Sequence, residues 1–129
     1  MTGEEVIELM QNILREDSRY TADAYAFVRA GLDYTVRQLD EPRHVGGREL
    51  LDGIRDFALK EFGPMALTVL AGWGISRTED IGEIVFNLVE NGLLGKTEED
   101  SRADFSNGYD FREVFRRPFE PGAPPSNDS

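Results

Sequence analysis

The chain predicts a mainly α (α+β) fold: a single domain of five helices whose C-terminal half, residues 64–115, is laid out like a winged helix and carries one small β-hairpin. Three observations predict it. Apolar residues recur at helical period through most of the chain up to Glu90. Glycine-bearing turns at Gly63-Pro64 and Gly72-Trp73-Gly74 punctuate that pattern. Beyond Leu94 the period shortens, with aromatic residues flanking Ser106-Asn107-Gly108.

Thr2-Gly3-Glu4-Glu5 reads as a capping box, in which a hydroxyl and a carboxylate satisfy the free N–H groups of a first turn. Val6, Ile7, Met10, Ile13 and Leu14 follow on one helical face. A second helix is expected from about Ala22 to Leu39, with an apolar stripe of Ala24, Phe27, Val28, Leu32 and Val36. The run from Asp40 to Gly47 breaks the period and reads as a loop. A third helix, from about Arg48 to Phe62, buries Leu50, Leu51, Ile54, Phe57 and Ala58; Gly63 ends it and Pro64 opens a short fourth helix. Trp73 is expected to lie buried against the fifth helix, which Ser76-Arg77-Thr78-Glu79 opens as a second capping box and Asn91-Gly92 closes, with Leu93 placed for the apolar contact of such a cap.

The hairpin rests on register. A two-residue Asn107-Gly108 turn would pair Phe105 with Asp110 and split the aromatics between faces. A three-residue loop with Gly108 left-handed pairs Phe105 with Tyr109 and Ala103 with Phe111, which gathers the apolar residues on one face and is preferred. A rival reading starts a helix at Asp110, since Asp110-Phe111-Arg112-Glu113 is also a cap pattern. The domain is expected to span 1–117, and residues 118–129, rich in proline, read as a disordered tail.

At 129 residues the chain has room for one core. Its net charge of −11 favours solubility and opposes nonspecific contact with nucleic acid or anionic lipid. The absence of cysteine excludes disulfides, thiolate metal sites and cysteine nucleophiles. The N-terminus is acidic, unlike the basic start of a signal peptide, and no apolar run is long enough to span a membrane, so a cytoplasmic location is expected.

Charge also decides what the helix–turn–helix can read. In DNA-binding winged helices the second helix of the motif enters the major groove. Here Ile81, Ile84, Val85 and Leu88 of the fifth helix point inward on a helical wheel, and Glu79, Glu83 and Glu90 point outward beside Asp80 and Asn87. Such a face repels a phosphate backbone, so no nucleic acid is expected to bind through it. Phe86 at its border makes Glu79, Glu83, Phe86, Asn87 and Glu90 a candidate docking surface for a protein. The alternative is a solvated acidic face on a core helix.

The runs from Gly63 to Leu70, Trp73 to Ile75, Thr78 to Glu90 and Lys96 to Phe105 resemble a family of small hypothetical proteins largely restricted to planctomycetes, verrucomicrobia and their relatives. Ala24 to Thr35 and Arg43 to Leu59 resemble it as well, so the likeness reaches to about Phe119. The resemblance implies a bacterial intracellular protein and supplies no catalytic residue.

His44 is the only histidine and no Ser or Asp spacing marks partners for it, so no catalytic residue is assigned. Arg43, His44, Gly46, Gly47 and Arg48 precede or open the third helix, where free N–H groups and two glycines would suit a small anion; an interhelix turn with paired arginines is the plainer reading. Glu98, Glu99, Asp100 and Asp104 lack the spacing of a calcium loop, and neither a metal nor a cofactor is expected. The function expected first is a noncatalytic protein-interaction module with an unidentified protein partner, a second copy of the chain being one candidate. A nucleic-acid-binding regulator using another surface, and an anion binder or enzyme using the Arg43–Arg48 loop, are the alternatives.

Overall fold

A computed structural model describes residues 1–95 and 102–122. The described residues form five α-helices: α1 Gly3–Glu16, α2 Ala22–Arg37, α3 Gly47–Phe62, α4 Ala66–Gly72 and α5 Thr78–Glu90. Shorter turns follow, a 3-10 turn at Arg102–Phe105, a π turn at Arg112–Arg116 and a 3-10 turn at Arg117–Phe119. Among the described residues no helix is long and apolar enough to cross a membrane.

Local chemistry sets most of these ends. The Thr2 hydroxyl accepts the Glu5 N–H and opens α1. The ends of α4 and α5 share one geometry. Gly74 (φ 94°) follows α4, where the Ile75 N–H reaches back to the Leu70 carbonyl at 2.9 Å. Gly92 (φ 75°) follows α5, where Leu93 reaches Leu88 at 2.9 Å, as the Asn91-Gly92-Leu93 pattern predicts. The start of α5 departs from the predicted box. Asp80, not Glu79, is the capping carboxylate, accepting the Ser76 and Arg77 N–H groups at 2.9 and 3.2 Å.

The core lies where α2, α3 and α5 meet, around Tyr25, Val28, Leu51, Ile54, Ile81, Ile84 and Leu88, with Leu70 of α4 and Ile75 beside it. Helices α2 and α3 approach closely at Thr35 and Gly53: a Cβ at Gly53 would stand 1.8 Å from the Thr35 hydroxyl oxygen. Trp73 corrects its prediction. Its ring sits 5.6 Å from Phe27 and 5.7 Å from Phe62, on the α2–α3 side, and is only half-buried.

The predicted β-hairpin is absent: the described residues contain no strand. Three features replace it. Phe105 lies in a 3-10 turn with its ring buried. Asn107, not Gly108, takes the left-handed backbone, at φ 49°. The Asp110 carboxylate accepts the N–H groups of Arg112 and Glu113 at 2.9 and 3.2 Å, so the rival helix start at Asp110 prevails. The aromatics that alternate like one strand face instead stack as a cluster. Phe111 and Phe115 meet edge to face at 5.0 Å across one helical turn, with Tyr109 beside them. Spacing i, i+4 competes here with spacing i, i+2, and the cap settles it. With no wing among the described residues, the winged-helix reading is withdrawn, although the order helix–turn–helix remains in α4 and α5. The expected tail starts within the Arg117–Phe119 turn, and 123–129 lie outside the described residues.

Candidate functional site

The face of α5 predicted to point into solvent is covered. Phe86 is 8% exposed; the Arg102 guanidinium lies over its ring at 5.2 Å, and the Phe105 ring meets it edge on at 6.2 Å. The Glu83 carboxylate, 26% exposed, accepts from Arg102 at 2.6 Å and from Arg19 at 3.4 Å. Asn87 donates to the Asp17 carboxylate at 3.0 Å and to the Tyr25 hydroxyl at 2.9 Å. Glu79 accepts the Asn107 N–H at 3.3 Å. Asp80 takes the Tyr20 hydroxyl at 2.6 Å. Of the candidate docking residues, only Glu90 stays exposed.

These carboxylates fasten the neighbouring loops onto α5. The Arg19 guanidinium holds Asp17 well below the usual carboxylate range, against the pull of burial and with help from Asn87. Glu79 is lowered chiefly by its own backbone N–H and also by that of Asn107. Burial, with the Asp80 carboxylate beside it, pushes the Tyr20 hydroxyl up. Sequence reasoning missed Asp17, Arg19 and Arg102, because their partners on α5 lie far away in the chain and no spacing announces them.

The Arg43–Arg48 loop comes together as a cleft at the start of α3. Arg43 grips Glu49 with two hydrogen bonds, 2.9 and 2.7 Å. Its guanidinium, with the Gly46 N–H at 3.4 Å, lowers Glu49 to about 2. A carboxylate of the chain itself thus occupies the position of a helix-bound anion. Phe105 closes one side, sunk in a slot between Gly47 and Gly82. A Cβ at Gly82 would meet Phe105 Cβ at 2.7 Å, and one at Gly47 would meet its ring at 3.2 Å. The Phe105 carbonyl accepts the buried Thr78 hydroxyl at 2.7 Å, which holds the slot shut.

Two hollows meet at Arg43, His44 and Gly47. One is an apolar cavity of about 340 Å³, walled by Leu32 and Val36 of α2, Leu50 of α3, Val85 of α5 and Phe105. The other is a more open hollow of about 540 Å³ that adds the charged residues Arg48, Glu49 and Asp104. All five residues of the candidate anion loop line one or both. The remaining residues of the acidic cation candidate, Glu98, Glu99 and Asp100, lie outside the described residues. No protein-family model, curated protein or solved structure matches this chain.

Proposed function

We propose that this chain is a noncatalytic binding module that takes a small ligand in the cleft at the start of α3. One observation carries the reading: an apolar cavity of about 340 Å³ opens beside a hollow that collects Arg43, His44 and Arg48. Small-ligand sites are concave, largely apolar and oriented by a few polar groups, with volumes of about 300–1,000 Å³. The rival docking surface on α5 has lost its anchor, since Phe86 lies under Arg102 and Phe105. Fluorescence of anilinonaphthalene sulfonate, an apolar probe with one negative charge, tests the reading. The folded protein enhances it saturably, and Val85→Trp, which fills the cavity, removes the enhancement. No enhancement, or enhancement untouched by Val85→Trp in a folded variant, refutes the proposal.

A second reading keeps the protein partner, through α1. Ile7 is 58% exposed on its apolar edge, and Met1, which precedes the helix, is 71% exposed. In this reading Ile7→Glu abolishes capture of a partner from native lysate, or dissociates a homodimer in sedimentation, and leaves probe binding in the cleft intact.

A further inference from the structure

We infer that the ligand of this cleft is an amphipathic monocarboxylate, its apolar body in the cavity and its carboxylate on the Arg48 guanidinium. The inference rests on the cleft being the working surface. Its first support is the shape of the site. The two hollows share Arg43, His44 and Gly47, so a molecule seated in the apolar one reaches directly into the one that holds Arg48. Leu32, Val36 and Val85 pack against the core yet stay half-buried, with apolar surface turned to the cavity. A charged or strongly hydrated body would lose its water there without replacement.

The second support is the state of the two arginines. Arg43 is committed, both its terminal nitrogens being held by Glu49. Arg48 is not: among the described residues it forms no ion pair, and its hydrogen bond is a long one, 3.4 Å to the Ala103 carbonyl. A planar guanidinium presents paired donors that match a carboxylate.

The third support fixes the charge of the head group. Glu49 and Asp104 line the same hollow as Arg48. Glu49 is already matched by Arg43, so a dianion such as phosphate would bring a second charge that no further arginine of the hollow matches, whereas a single negative charge is matched by Arg48. The cleft therefore selects against doubly charged heads and, through the cavity, against small hydrophilic anions.

Titration of the folded full-length chain with octanoate, 1-octanol and inorganic phosphate, followed by calorimetry and by methyl chemical shifts, tests this. Octanoate binds at one site and shifts the methyls of Leu32, Val36 and Val85. Arg48→Ala weakens octanoate about fivefold, the upper worth of a solvent-exposed ion pair, and leaves octanol unchanged. Phosphate neither binds nor competes. If octanoate and octanol bind alike and Arg48→Ala changes neither, the carboxylate assignment falls and the cleft reading survives. If neither shifts the cavity methyls, both fall. Competition by phosphate overturns the monoanion selectivity.

Discussion

Helices α1 and α5 are both amphipathic, and they use that property in opposite ways. On α1 the apolar stripe is wider than the surface it packs on. Ile13 is its one buried residue, Val6, Leu9, Met10 and Leu14 are half-buried, and Ile7 is 58% exposed. On α5 the apolar face is wholly buried at Ile81, Ile84 and Leu88, and most of the polar face is engaged too, by Arg19, Tyr20, Tyr25 and Arg102. A helical wheel ranks faces by polarity. It does not report whether the polar face meets water or meets a loop that satisfies it.

That contrast is sharpest in the core. Ile84→Ala should cost about 3–4 kcal/mol, because a fully buried aliphatic side chain leaves a void behind it. Urea denaturation measures it; a loss below about 1 kcal/mol would mean that α5 is no better seated than α1. The next effect falls on the polar face. Asp80 caps α5 and takes the Tyr20 hydroxyl, so Asp80→Ala should cost about 2–3 kcal/mol, a lost cap plus a hydrogen bond to a charged group. An effect within about 0.5 kcal/mol, the range of ordinary surface positions, would restore the solvated acidic face.

Acid gives a smaller handle on the same network. The folded state holds Asp17 below its unfolded value, so the unfolded chain binds this proton more readily. Stability from Asp17 is complete above about pH 5 and is lost as pH falls through and below about 4, the unfolded carboxylate range. The urea midpoint of the wild-type chain should drop on moving from neutral pH to pH 3, and Asp17→Asn should reduce the drop. An unchanged drop would detach Asp17 from the linkage. The smallest effect belongs to α1: Ile7→Ala should stay within about 0.5 kcal/mol, as exposed positions do. A large loss there would mean that the apolar rim of α1 is covered in solution, as a second copy of the chain would cover it.

Much of the helical framework was legible in the sequence because its signals are local. Thr2, Gly63, Gly92 and the periodic apolar residues act over a single turn; helices α2, α3 and α5 begin and end within a few residues of their predicted bounds, and α1 begins at its predicted cap. The hairpin was misread because Phe105, Tyr109, Phe111 and Phe115 satisfy two periods at once. What decided between them was the Asp110 cap and the slot at Gly47 and Gly82, and the slot joins residues far apart in the chain. The loop of Arg43, His44 and Arg48 could be picked out as a cluster, whereas its apolar neighbour could not. Leu32, Val36 and Val85 come from two other helices and look in the sequence like ordinary core positions.

The junction between α1 and α2 carries one further consequence. The Thr21 N–H donates to the Trp73 carbonyl at 3.2 Å, and the Arg19 carbonyl lies where a Cβ on Gly74 would stand, 2.1 Å away. In hydrogen exchange this junction should mark the edge of the cooperative unit. The Thr21 amide, although outside the regular helix, should exchange only when the α4–α5 turn opens with it, while the first turns of α1, from Gly3 onward, should exchange by local fraying.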